Sequence, residues 1–255
     1  MTLPTAWPYP LWVAHRGAGK LAPENTLAAF RLGASHGYRA FECDVKLSAD
    51  GVPFLLHDAT LERTTSGTGT ASALPWSALA QLDAGAWHSA AYAGEPLPRF
   101  EAIARYCLRN GHALNIEIKP TPGDEAATGA AVAQAAGRLW ARAAVPPLLS
   151  SFRADALQAA QVAAPALPRA LLLDSLRDGW LDEACALCCV AVVTKHTLMD
   201  APLIAQLHGA GLRALCYTVN EPADAQRLLA LGIDGLITDA VDRFAPLPAP
   251  AQPAG

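Results

Sequence analysis

Seven side chains in four short apolar stretches have the types and spacing for metal-assisted chemistry on a phosphate. His15 and Arg16 end LWVAHR, Glu42 and Asp44 alternate in AFECDV, His57 ends VPFLLH, and Glu117 and Lys119 alternate in LNIEIK. Residues two apart in a strand share a face, so Glu42 and Asp44 point one way while Cys43 and Val45 point the other. Two carboxylates buried together repel and resist ionisation unless a cation or strong donors sit between them. With Glu117 added, three carboxylates suit a hard divalent cation bound through oxygen, Mg²⁺ first and Ca²⁺ or Mn²⁺ on the same ligands. Arg16 and Lys119 add positive charge for phosphate oxygens, the first as a fork and the second as a point charge. The histidines supply a base and an acid beside a Lewis-acidic metal. No Ser, Thr or Cys stands among these groups, so a covalent intermediate has no evident carrier.

Plainer readings fit parts of this set. Alternation alone also produces a solvated strand face, and Lys119 can serve only as the counter-ion of Glu117. His36, His88, His112, His196 and His208 read as surface or packing residues.

Positioning these groups is the task of the elements around them. Short β-rich runs recur at 11–15, 40–45, 114–119, 148–152, 169–173, 190–195, 214–219 and 235–238. Helical patterns lie between most of them, among them ENTLAAFRLGASHG, GAAVAQAAGRLWARA, RADALQAAQVAA, DAPLIAQLHGAG and PADAQRLLALG, several ending on Gly. This alternation predicts a (β/α)₈ TIM barrel, whose functional groups sit at the C-terminal ends of the strands. VPFLLH (52–57) follows the second run after only S-A-D-G, too short for a parallel crossover, so it predicts an antiparallel hairpin above the rim. A two-residue Asp50-Gly51 turn would pair Ala49 with Val52 and Asp44 with His57. Residues 59–98 read as an insertion over the site with small helices of its own. The domain is expected to span 1–246, followed by a Pro/Ala-rich tail at 247–255.

The chain has 255 residues, 52% of them hydrophobic, and a formal charge of −4, so one large core is expected and no basic footprint for nucleic acid is present. MTLPTAWPYP lacks a basic segment followed by an apolar one, and no apolar run nears the roughly eighteen residues of a membrane span, so a cytoplasmic protein without membrane insertion is expected. The six cysteines lie mostly in apolar runs; Cys185 and Cys188 have C-x-x-C spacing without a nearby His, and read as small buried hydrophobes. Nothing in the sequence sets the oligomeric state.

HRG (15–17) with PENT (23–26), E-x-D (42–44), HD (57–58), EIK (117–119), SSF (150–152), YTVN (217–220) and DGLITD (234–239) resemble the ordered motif set of the glycerophosphodiester phosphodiesterase family. The resemblance spans nearly the whole chain. It implies a TIM barrel, a divalent metal on Glu42, Asp44 and Glu117, paired histidines at 15 and 57, and release of glycerol 3-phosphate and an alcohol from small glycerophosphodiesters. On that footing His15 is assigned as base and His57 as acid. Two other functions stay open: a non-catalytic phosphate-ester sensor, which would lack a histidine or carboxylate, and a phospholipase, which would want an interfacial amphipathic helix that this sequence does not show.

Overall fold

The computed structural model describes residues 7–244 and 246. The Pro/Ala-rich tail expected at 247–255 and the first six residues lie outside the described residues. Among the described residues nine strands form one sheet: β1 (Trp12–Ala14), β2 (Ala40–Leu47), β3 (Pro53–Leu55), β4 (Ala113–Ile118), β5 (Leu148–Ser151), β6 (Arg169–Leu173), β7 (Ala191–Lys195), β8 (Arg213–Tyr217) and β9 (Gly235–Thr238). Eight are parallel neighbours in the ring β1-β9-β8-β7-β6-β5-β4-β2, and the β1–β2 pairing, Ala14 beside Phe41, closes it. The helices are α1 (Leu27–Ser35), α2 (Trp76–Leu79), α3 (Phe100–Asn110), α4 (Glu125–Leu139), α5 (Ala154–Ala163), α6 (Trp180–Ala186), α7 (Ala201–Gly209) and α8 (Pro222–Ala230). All but the single-turn α2 cross between parallel strands, as a TIM barrel requires.

The strands are buried on both faces, which is why they read as apolar runs rather than as alternation. Outward-facing Phe41, Cys43, Val45, Leu114, Ile116 and Ile118 pack against Phe30, Ile103 and Val132 of the surrounding helices. Inside the barrel, Val13, Ala40, Leu148, Ala170, Leu172, Val193, Leu215 and Ile237 fill the lower layers, with Trp7 and Tyr9 packed against them. Climbing the inner face of β2 the residues are Ala40, Glu42, Asp44 and Lys46. The polar groups thus begin where the apolar filling ends.

β3 runs antiparallel to β2 as expected, but one residue out of the expected register. Val45 pairs with Leu55, Lys46 with Phe54 and Leu47 with Pro53. The loop is three residues, Ala49–Gly51, because the Ser48 hydroxyl accepts from the Val52 amide at 2.9 Å and Gly51 takes a left-handed φ of +76°. Asp44 therefore lies opposite Leu56, whose amide donates to the Asp44 carbonyl at 3.1 Å. Residues 59–98 carry α2 and two 3-10 turns, Ala71–Ala73 and Ala90–Tyr92, over a small core of Phe54, Leu56, Leu61, Leu79 and Leu97. Cys185 and Cys188 depart from the expected burial and are exposed: α6 turns Trp180 and Ala184 inward, which leaves its other face to solvent.

Two glycines of α4 separate packing from propensity. A Cβ on Gly129 would stand 2.1 Å from the Ala156 carbonyl oxygen where α4 crosses α5, whereas one on Gly137 meets only the Ala164 methyl at 3.7 Å. Gly129→Ala is expected to destabilise by about 1–3 kcal/mol through overpacking, against roughly 1 kcal/mol of helix propensity gained. Gly137→Ala, with the gain alone, is expected to stabilise by about 0.5–1 kcal/mol. Urea unfolding of both variants reads the two signs, and equal signs would contradict the crossing geometry.

Candidate active site

The C-terminal ends of β1, β2 and β4 and the chain beyond β3 bring all seven singled-out residues together. At the end of β1 the His15 amide donates to the Thr238 carbonyl at 3.0 Å, continuing the ladder with β9. The chain then turns sharply, Arg16 at φ +50° and Gly17 at φ +98°. A left-handed φ is rare for an arginine and costs on the order of 1–3 kcal/mol, so its surroundings must hold it there. They do so with carboxylates. The Arg16 amide donates to Glu42 Oε2 at 3.0 Å, its Nη1 donates to Glu24 Oε1 at 2.8 Å, and its Nε lies 3.3 Å from Asp44 Oδ2.

Asn25, buried and also left-handed, clamps Asp44 from both sides: its Nδ2 donates to Oδ2 at 2.8 Å, and its Oδ1 accepts from the Asp44 amide at 3.1 Å. Glu42, Asp44 and Glu117 are 3%, 1% and 8% exposed, and each offers a carboxylate oxygen within 4.8 Å of the others'. Glu42 Oε1 and Asp44 Oδ1 are buried without a hydrogen-bond partner. Burial and the neighbouring Asp44 charge push both Glu42 and Glu117 upward. Burial acts in the same sense on Asp44, but Arg16, His57 and Lys119 outweigh it and hold that carboxyl well below the usual range. Orphaned anionic oxygens at this spacing fit a hard divalent cation, whose oxygen ligands stand about 2.0–2.6 Å from the ion. The Lys119 ammonium donates to Glu117 Oε1 at 2.6 Å and lies 3.9 Å from Asp44 Oδ1. It is an ion-pair partner and a cavity-lining cation at once.

The two histidines are built alike. His15 Nδ1 meets Asp239 Oδ1 at 2.6 Å, and His57 Nδ1 meets Asp58 Oδ1 at 2.6 Å. A carboxylate only accepts, so each Nδ1 carries the donated hydrogen and each Nε2 is left for chemistry. His15 Nε2 lies 3.8 Å from Glu42 Oε2. Burial would lower His15, but the Asp239 bond and the Glu42 charge raise it above its ordinary value; His57 is lowered by burial. Both tethers are themselves anchored. Asn220 Nδ2 donates to Asp239 Oδ2 at 3.2 Å, and Arg63 grips Asp58 at 2.5 and 3.0 Å and Glu24 at 2.8 Å through two nitrogens.

His15, Arg16, Glu42, His57, Glu117 and Lys119 line one cavity of about 190 Å³, with Asn115, Phe152, Leu172, Tyr217, Thr218 and Ile237 as its remaining walls. The Lys119 ammonium sits 5.2 Å from the Phe152 ring centroid. The other histidines stand apart: His208 pairs with Asp234, His196 with Asp224, and His112 packs beside Phe41. The sequence motifs contain Glu24, Asn25, Asp58 and Asp239 without giving them a role, and sequence reasoning does not single out Arg63 or Lys46. Asp58 was adjacent to a chosen histidine and Asp239 followed the last strand, a signal that strand-end placement alone offers. Glu24, Asn25 and Arg63 lie in loops, where no periodicity assigns them a task, and for Glu24 and Asn25 the PENT motif is the only sequence signal. Thr218 adds a hydroxyl to a lining expected to have none.

A family model described as the glycerophosphoryl diester phosphodiesterase family matches residues 15–243. An Oleispira antarctica phosphodiesterase, solved in complex with the product sn-glycerol-3-phosphate, is 32% identical with a TM-score of 0.86, covering 92% of this chain and 95% of that one. A glycerophosphodiester phosphodiesterase of Agrobacterium tumefaciens str. C58 is 30% identical with a TM-score of 0.79, covering 96% and 99%. The glycerophosphodiester phosphodiesterase of Caldanaerobacter subterraneus is 30% identical over 234 residues, 90% of this chain and 93% of that protein.

Proposed function

Since this chain belongs to the glycerophosphoryl diester phosphodiesterase family and is a phosphoric diester hydrolase, we propose that it cleaves small glycerophosphodiesters, such as glycerophosphocholine and glycerophosphoethanolamine, to sn-glycerol 3-phosphate and an alcohol. The observation that carries this reading is a buried carboxylate triad, two of whose members have an unpartnered oxygen, at a cavity lined by Glu42, Glu117 and two histidines whose Nδ1 atoms are both tied to aspartates. We assign Glu42, Asp44 and Glu117 to a divalent metal, Mg²⁺ first with Ca²⁺ or Mn²⁺ on the same oxygens. When bound, that ion supplies Lewis acidity at a phosphate oxygen and offsets the charge of the triad.

Arg16 and Lys119 hold the remaining phosphate oxygens. His15 Nε2 takes the proton from the attacking hydroxyl while Asp239 stabilises the imidazolium that forms, which agrees with its raised proton affinity. His57 delivers a proton to the departing alcohol oxygen. Phe152, Leu172, Tyr217 and Ile237 form the apolar wall for the glycerol carbons. We take the catalytic unit to be one domain over 1–246, in which residues 59–98 shape the alcohol side, working in the cytoplasm on soluble diesters. No helix among the described residues is long and apolar enough to cross a membrane.

The attacking group is the substrate's own 2-hydroxyl. Held with its phosphate in the cavity it is already next to phosphorus, and an intramolecular attack has a large entropic advantage over one by free water. The P–O bond to the alcohol breaks as a cyclic glycerol 1,2-phosphate forms; water then opens the ring with the histidines in exchanged roles. A 2-deoxy analogue is expected to bind and scarcely react, and turnover comparable with that of the parent diester would mean direct attack by water. The function itself is tested by coupling glycerol 3-phosphate release to its dehydrogenase with both head-group diesters. Activity abolished by EDTA and restored by Mg²⁺ is expected; no glycerol 3-phosphate from any diester would contradict the reading.

A further inference from the structure

Lys46 is the one charged member of the inner row of β2 that the proposed mechanism leaves without a task. It follows Asp44 by two residues, is 1% exposed, and spends its ammonium on two backbone carbonyls, those of His57 at 3.2 Å and Lys119 at 3.0 Å. Burying an ammonium whose hydrogen-bond partners are two neutral carbonyls is unfavourable. An apolar side chain would fill the space more cheaply, so core packing does not account for it.

The hairpin register supplies a reason. Lys46 pairs with Phe54, and the last ladder bond joins Leu56 to Asp44. Continued one step further, the ladder would place His57 opposite Cys43 and turn it to the helix-facing side, because successive residues of a strand point to opposite faces. Instead the chain leaves the ladder after Leu56 and His57 lines the cavity. The bond from Lys46 is made at that departure. The same ammonium holds the carbonyl of Lys119, just past the end of β4, and so ties the two departing backbones to each other above the triad.

We propose that Lys46 is a positioning residue, which fixes the backbones of His57 and Lys119 so that both side chains face the phosphate. The proposal rests on the function above, since it assigns tasks to those two side chains. Lys46→Met keeps the length of the stem and removes all donors. Displacement of a reacting group by about 1 Å costs up to about a hundredfold, so a loss of about ten- to a hundredfold in kcat/KM on glycerophosphocholine is expected.

The test is a cycle of variants assayed with Mg²⁺, with melting temperature measured alongside. In a His57→Ala, Lys119→Ala background, Lys46→Met is expected to change kcat/KM by less than about threefold, because the groups it places are gone. The same factor in both backgrounds, or full activity of Lys46→Met alone, would overturn the proposal. Should Lys46→Met not fold, Lys46→Gln carries the same cycle with the same two outcomes. If His57→Ala and Lys119→Ala each turn over like the parent, the functional reading has failed instead.

Discussion

Removal of the His57 imidazole is expected to lower kcat/KM by about 10²–10⁴ with glycerophosphocholine and by far less with a p-nitrophenyl diester of glycerol phosphate. Choline leaves as a strongly basic alkoxide unless a proton reaches its oxygen during bond cleavage, whereas p-nitrophenolate departs unaided. The Asp58 bond at 2.6 Å holds the Nδ1 hydrogen and leaves Nε2 of this cavity-lining ring for the proton that the alcohol receives. His15→Ala, in contrast, is expected to harm both substrates alike, because activation of the attacking hydroxyl precedes any difference between leaving groups. Steady-state kinetics of the two variants on the two substrates gives four numbers. The reverse pattern would exchange the assignments of His15 and His57, and equal losses throughout would remove the acid–base division.

Glu117→Gln is expected to lower turnover by about 10²–10³, equivalent to roughly 3–4 kcal/mol of transition-state stabilisation, while the barrel stays folded. The substitution preserves shape and removes one anionic carboxylate from a triad whose remaining members, Glu42 and Asp44, each have an orphaned buried oxygen. Because Glu117 also receives the Lys119 ammonium at 2.6 Å, loss of activity alone would not separate metal binding from phosphate binding. Calorimetric titration of chelator-stripped protein with Mn²⁺ makes that separation. The parent is expected to bind the ion and the variant to bind it far more weakly. A variant that binds metal and turns over like the parent would contradict the three-carboxylate site.

Much of this arrangement is legible in the sequence because strand geometry is so regular. The period of two places Glu42 with Asp44 and Glu117 with Lys119, and the barrel gathers strand ends, so residues far apart in sequence meet without any knowledge of loops. The hairpin shows where that regularity ends. Its antiparallel sense follows from a short connection, but its register depends on the Ser48 hydroxyl accepting from Val52, a side-chain contact that turn statistics do not contain. His57 reaches the cavity despite the shifted register because the chain leaves the ladder, with Lys46 bonded at the exit. Arg63 and Glu24, thirty-nine residues apart, meet through loop packing around Asp58, which no local pattern announces. Cys185 and Cys188 failed for a related reason: the apolar run around them spans a helix end and a turn, so only part of it faces the core.

Two facts define the proposed reaction: which phosphorus–oxygen bond is broken, and whether a metal is needed to break it. A ³¹P NMR time course on glycerophosphocholine, run with Mg²⁺ and again with excess EDTA, reads both. The diester resonance is expected to be replaced by that of sn-glycerol 3-phosphate when Mg²⁺ is present, and to persist under EDTA. Appearance of phosphocholine, or the same rate of decay in both samples, would contradict it.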